Sequence, residues 1–260
     1  MSPSLGELRS QPHVSFSAIK TFLMCPRRYR LQYIDRVRSE YRAAAISFGH
    51  TWHEVVGVWL VREDVTAEEL RDHLRDRLSV SMRDHELMFD DEDDNESTFV
   101  DTGVRMLNAF LAKVSRPERT LAVEVPFGLE LGHPITGEIL PVKFIGAIDA
   151  LVVESGNKSV WELKTGKRKW SDQLEYDLQT TAYRIAAREL GHGDVELRLV
   201  LTTKGKKPDV QSERLVRHRR DEREFVETVF AVRRAAEAGV DYPNRGWQCR
   251  TCAFAGACGA

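Results

Sequence analysis

VKFIGAIDALVVESGNKSVWELKTGK, residues Val142 to Lys167, is the stretch around which the chain is organised. It reads as two strands joined by a tight turn. Val142–Val153 is apolar and rich in β-branched residues. Glu154-Ser155-Gly156-Asn157-Lys158 is turn chemistry, with Gly and Asn available for positive φ. In Ser159–Thr165, Val160, Glu162 and Lys164 share one face and Trp161 and Leu163 the other. A turn centred near Ser155-Gly156 sets Asp149 across from Glu162. Facing carboxylates destabilise a sheet, and burying them unpaired costs roughly several kcal/mol per ion. A divalent cation between them removes both penalties. The plain alternative is a solvated hairpin face with a Glu162–Lys164 surface pair.

Upstream, Leu121–Leu131 predicts another strand, with Leu121, Val123, Val125 and Phe127 on one face and Glu124 on the other. Pro126 points to an edge position or the end of regular pairing. Downstream comes a basic loop, Lys167-Arg168-Lys169. A helix is then expected from Ser171-Asp172 to about Leu190, placing Gln179 and Tyr183 on one face by their four-residue spacing. Val195–Thr203 and Val210–Val216 read as strands, the second an edge, and Asp221–Glu237 as a long helix.

The first half of the chain is helical in pattern. Ser15-Phe16-Ser17 offers N-cap residues for a helix to Met24, and Pro26 suits a restart through Arg27–Val37. Ala43–Val61 carries His53 on a mostly apolar face, where a packed core histidine is the usual outcome and a ligand the sharper one. Thr66 with Glu69 is a capping box opening a helix to Arg83. The acidic run Phe89–Glu96 lacks calcium-loop spacing and reads as an exposed loop before a helix over Thr98–Val114.

With 260 residues, 42% hydrophobic and 30% charged, the chain suits one globular domain. It has no run of about 18 apolar residues and no signal-peptide pattern, which predicts a cytosolic protein without a membrane partner. The net charge of −2 gives no global pull toward nucleic acid, but the basic residues are clustered, and local patches can track phosphates. Four cysteines in that setting are not expected as disulfides. Cys249, Cys252 and Cys258 form a metal-ligand-like triplet, and Cys25 is the fourth cysteine. Zinc and an iron–sulfur cluster both take four thiolates. Spacing leaves both open, with zinc the simpler filling, although the distance of Cys25 from the triplet is unlike a small zinc knuckle.

Taken together, the residues resemble the PD-(D/E)xK nuclease superfamily. Asp149 followed by Glu162-Leu163-Lys164 ("GAID…WELKTG") is similar to its signature, without the proline. His53 in "FGHTWHEVV", Gln179-x-x-x-Tyr183 and "SFSAIKTFLMCPRRYRLQY" look like further motifs of its RecB-type members. The four cysteines resemble the iron–sulfur branch that includes CRISPR-associated RecB-like exonucleases and the AddB nuclease domain.

That resemblance covers roughly 15–258 and implies an α/β restriction-endonuclease-like mixed sheet flanked by helices. The expected organisation is a single domain over 1–260. It has N-terminal helices at 15–61, a helical subdomain at 62–116, a core at 117–240 and an Fe–S-clasped tail at 241–260 joined to Cys25. The resemblance implies Mg²⁺ or Mn²⁺ held by His53, Asp149, Glu162 and the Leu163 carbonyl, with Glu124 as an accessory. Asp149, Glu162 and Lys164 are the implied catalytic set. DNA is expected on Gln179, Tyr183, Lys167, Arg168 and Lys169. It also turns the cysteine preference to a [4Fe–4S] cluster, leaving Zn²⁺ as the alternative. The implied activity is metal-dependent exonuclease action on single-stranded or frayed DNA ends in recombination, repair or CRISPR adaptation, with recombination or integration proteins as partners. No G-x-x-x-x-G-K loop is present, so no motor is built in. A DNA-binding subunit with weak or no cleavage and a zinc-stapled, non-enzymatic interaction protein are the other two classes.

Overall fold

The protein is described from a computed structural model covering residues 3–84, 87–89 and 95–259; the centre of the acidic run, 90–94, lies outside the described residues. The elements run α1 (Leu5–Arg9), β1 (His13–Ser15), α2 (Phe16–Met24), α3 (Pro26–Tyr29) and a π-helical turn (Arg30–Ile34). They continue with β2 (Arg42–Ala43), α4 (Ala44–Val61), α5 (Ala67–Asp84), β3 (Leu87–Met88) and α6 (Glu96–Lys113). Next come β4 (Arg119–Leu129), β5 (Lys143–Glu154), β6 (Asn157–Gly166), α7 (Gln173–Tyr176) and α8 (Leu178–Glu189). The chain closes with β7 (Glu196–Thr203), β8 (Val210–Leu215), α9 (Arg219–Glu237), a 3₁₀ turn (Trp247–Cys249) and α10 (Ala255–Cys258).

The β5–β6 hairpin has the expected register over Ala150↔Trp161 to Glu154↔Asn157, with Ser155 and Gly156 both at positive φ in the turn. β6 continues into β7 in parallel, and β7 into β8 antiparallel. On the far edge of β5, β4 pairs antiparallel, so the Pro126 strand is an edge strand. β1 pairs in parallel with Lys143–Ile145 of β5. Because β4 occupies one edge of β5 along almost its whole length, β1 and β6 share the other edge. They leave Gly146–Asp149 between them without a strand partner on that side. The sheet is therefore forked at Asp149.

Two apolar clusters cover the faces. One holds Phe22 of α2, Ala182 and Ala186 of α8, and Phe225 and Phe230 of α9 against Phe144, Ile148, Leu151 and Val160. The other holds Phe48, Trp52 and Val56 of α4 with the apolar stripes of α5 and α6 against Ala150, Val152, Trp161 and Leu163. Each fully buried aromatic or aliphatic side chain stabilises the fold by about 1.5–3 kcal/mol. The indole N–H of buried Trp161 donates to Glu154 Oε2 (2.8 Å), which removes the cost of burying it.

Three local readings change. The helix expected over 171–190 is broken at Asp177. Its extended ψ ends α7, and its carboxylate caps α8 by accepting from Thr180 N (2.9 Å). The helix expected to reach Val37 ends in the π-helical turn at Ile34. The single face expected of β4 is also interrupted. A bulge follows Thr120 and Glu124 sits at φ 49°, so Val123 packs on the α4 side while Leu121, Val125 and Phe127 pack on the α8 side.

Candidate active site

The fork brings together side chains from both layers. Asp149 is 5% exposed; its Oδ2 accepts from Leu163 N (2.7 Å) and its Oδ1 from the Tyr183 hydroxyl (3.0 Å). The strand pairing stops one position short of a direct Asp149–Glu162 pair, and the Asp149 side chain takes over as acceptor for the β6 backbone. Glu162 is fully buried. Lys164 ion-pairs with its Oε1, and among the described residues Oε2 has no hydrogen-bond partner. From α8, Gln179 accepts from Lys164 Nζ (2.9 Å) and donates to the Tyr183 hydroxyl (2.7 Å). A continuous polar path thus runs Lys164–Gln179–Tyr183–Asp149. Gln179 and Tyr183, expected to meet DNA, hold Lys164 and Asp149 and also line the cleft described below.

His53 arrives from α4. Its Nε2 donates to the Leu163 carbonyl (2.9 Å), and its Nδ1 lies 3.4 Å from Glu124 Oε1 and 3.6 Å from Asp149 Oδ1. Glu124 reaches the site because its backbone is left-handed inside a strand. That conformation costs a non-glycine residue about 1–3 kcal/mol and is concentrated at functional sites. Nitrogen or oxygen atoms of His53, Glu124 and Asp149 all lie within 4.8 Å of one another, the only such ligand group among the described residues. Two hard carboxylates and an imidazole suit a divalent cation. Glu162 stands outside that group with its Oε2 unpartnered, and the Leu163 carbonyl adjoins it through His53, so the residues fit such an ion.

Electrostatics follow from burial and crowding. Burial opposes charge on His53, but Asp149 and Glu124 outweigh it and push the imidazole up to about 9. Burial pushes the Glu162 carboxyl up against the pull of Lys164. Burial alone lowers Lys164, yet Glu162 and Asp149 hold the ammonium above its usual range. Two residues beyond the expected set act on this cluster. Asp177 adds negative potential to Glu162 and Lys164. Lys20 of α2 is depressed by burial and then by the like charge of Lys164. Neither carries a sequence signal apart from the Asp177-x-x-Thr180 cap pattern.

A cleft of about 700 Å³ opens onto His53, Glu124, Asp149, Gln179 and Tyr183. The basic loop stands apart from its lining. In that loop Lys167 and Arg168 are exposed, while Lys169 pairs with Asp209 (2.6 Å), which also binds Lys113.

The chain ends meet. Arg27 N donates to the Tyr242 carbonyl (3.1 Å), Asn244 Nδ2 to the Met24 carbonyl (2.8 Å), and Gly256 N to Glu40 Oε1 (3.0 Å). Cys25, Cys249, Cys252 and Cys258 are all free and line one small cavity with Arg28, Leu31 and Phe254. No three of their sulfurs lie within 4.8 Å of one another, so they do not form a compact group.

A forked mixed sheet with buried Asp149 and Glu162, a half-buried Lys164 and an adjoining imidazole defines a metal-site α/β protein of nuclease type. The sequence profile of the PD-(D/E)XK nuclease superfamily matches residues 13–259, and the chain belongs to that family. Among solved structures it is similar to a "putative exonuclease" from Eubacterium rectale, with a TM-score of 0.57 and 15% identity, over 96% of this chain and 93% of that one. At that identity the likeness speaks for the fold. No curated protein matches the sequence. No helix among the described residues is long and apolar enough to cross a membrane.

Proposed function

We propose that the protein is a Mg²⁺- or Mn²⁺-dependent exodeoxyribonuclease of the RecB-like branch, working on single-stranded or frayed DNA ends. The observation that carries this is the polar path Lys164–Gln179–Tyr183–Asp149 ending against the His53–Glu124–Asp149 ligand group. His53, Asp149, Glu124, Glu162 and the Leu163 carbonyl are the residues that would hold the cation. When bound, such an ion polarises the scissile phosphate and lowers the pKa of a bound water. Lys164, fixed by Glu162 and Gln179, orients the attacking water and offsets charge developing on the phosphate. Tyr183 and the Leu163 amide hold both oxygens of Asp149, so its carboxylate keeps one orientation. Lys167 and Arg168, on the loop after β6, supply phosphate contacts outside the cleft. DNA repair, recombination or CRISPR adaptation is the setting this activity serves.

We also assign a [4Fe–4S] cluster to Cys25, Cys249, Cys252 and Cys258. Four soft thiol donors converge on one cavity. The preference for the cluster over zinc rests on the resemblance of these four cysteines to the iron–sulfur branch of the family.

End-labelled DNA digested with Mg²⁺ or Mn²⁺ tests the first assignment. Wild type is expected to shorten the DNA from its ends, and Glu162→Ala and Lys164→Ala to lose at least about a hundredfold in rate. Equal rates in all three proteins would remove the active-site assignment. For the cysteines, anaerobically purified protein is expected to show broad visible absorbance and iron with sulfide near four each per chain. A colourless protein containing zinc would decide for the alternative.

A further inference from the structure

A second cleft, of about 640 Å³, adjoins the first. Four residues line both and form the rim between them: Arg9, His13, Ser15 and Tyr33. The two differ in charge. The first is lined by Glu54, Glu124 and Asp149 with Arg9 as its one Arg or Lys. The second is lined by Arg9, Arg36 and Arg233, and its one carboxylate, Glu237, is bonded to Arg233 (2.5 Å). An anionic chain in the first cleft needs a cation to hold it, whereas one in the second meets arginine directly.

Two of its arginines are uncommitted. Arg9 and Arg36 are exposed and have no hydrogen bond or ion pair among the described residues. Gln32 lines the second cleft, and its Oε1 is buried without a hydrogen-bond partner. Tyr33 stacks on Tyr29 with centroids 5.2 Å apart and planes tilted by 31°, giving a two-ring aromatic surface. The backbone is bent to make it. Tyr33 lies in the π-helical turn, a device frequent at functional sites, and Arg36 follows at φ 51°. Guanidinium groups beside a half-buried aromatic pair that lines a cleft are the elements that bind an unpaired strand: arginine for phosphates, a ring for a base.

We propose that the second cleft is a binding site for the single nucleic-acid strand continuing from the scissile phosphate. Phosphates lie on Arg9 and Arg36, and a base stacks on Tyr33. The proposal rests on the nuclease reading for what occupies the first cleft. A duplex does not satisfy it, because the Tyr33 face requires a base that has left its pair.

The test compares an oligothymidylate of about twelve residues with the dinucleotide pdTpdT, which reaches only the first cleft. The variants are Arg36→Glu, Tyr33→Ser and Tyr33→Phe. With metal-free protein, twelve-mer binding is expected to weaken about tenfold or more in Arg36→Glu and Tyr33→Ser and to persist in Tyr33→Phe, which keeps the ring. Arg36→Ala is expected to lower the slope of log affinity against log salt by about one. With Mn²⁺, the kcat/KM advantage of the twelve-mer over the dinucleotide collapses in the same two variants. Circular dichroism and melting confirm that each is folded. If folded Arg36→Glu and Tyr33→Ser bind the twelve-mer as wild type does, the second cleft is not a strand site. If wild type hydrolyses neither substrate while binding still depends on Arg36 and Tyr33, the nuclease reading fails and this one stands.

Discussion

His53 stands between two roles, because the same ring is charged among carboxylates and neutral when it ligates a metal. Its imidazole is raised to about 9 in the folded chain, above the ordinary 6.5. The sign of the linkage follows: stabilisation from its charged form is fully present below pH 6.5 and is lost as pH rises through 9. Metal-free protein is therefore expected to lose thermal stability between those values, and His53→Gln to flatten the loss. The same proton must leave before the ring can bind a metal. Calorimetry of Mn²⁺ binding in buffers of different ionisation enthalpy should show at least one proton released per ion near pH 7, one from His53 and a further share from Glu162, and tighter binding toward pH 9. Proton-independent binding would show that His53 is not a ligand. Much at this scale was legible: Asp149 and Glu162 are acids in β-patterned runs, and Lys164 shares a face with Glu162. Glu124 was legible only as an acid on a neighbouring strand. Its membership of the ligand group depends on a left-handed backbone that no local residue pattern announces.

Between elements, the approach of β4 to β5 controls the site. Gly146 packs so closely that a Cβ there would lie 2.5 Å from Cζ of Phe127. Phe127 is buried, stacks on Phe144 and meets the edge of the Tyr183 ring at 6.1 Å. Pushing it displaces the tyrosine that holds Asp149. Gly146→Ala is expected to destabilise the fold by about 1–3 kcal/mol and to slow cleavage by more than its unfolded fraction explains. Wild-type melting and rates in that variant would show that Phe127 has room to move. The strands were legible from alternation and turn chemistry, and the hairpin register from its Gly-Asn turn. The break at Asp177 was hidden by a helical stripe running from Leu174 through Leu178, because apolar spacing survives a one-residue interruption that a capping side chain imposes.

Across the whole molecule, charge is divided where the net value of −2 shows none: acids converge on the fork and arginines on the cleft beyond it. The family and its mixed sheet were readable because the two acidic positions and the histidine lie in separate, well-patterned elements. The arrival of β1 beside β5 was not readable. His13–Ser15 is too short for a period, and its partner lies some 130 positions away in the chain.

That short strand carries a consequence for motion. β1 contributes three paired positions, closes a very long loop and forms one arm of the fork, while β5–β6 is closed by a tight turn. Opening it leaves the hairpin pairs and the α4 layer in place, so its free energy lies well below that of global unfolding. Amides of Val14 and Ser15 are expected to exchange with deuterium orders of magnitude faster than those of Val160 and Trp161, and to slow when an oligonucleotide occupies the clefts. Equal protection in the two strands would mean that the arm opens only with the whole protein. Faster exchange in β1 alone would make the wall bearing His13 and Ser15 an edge that opens by itself, so that a strand end need not be threaded to reach the fork.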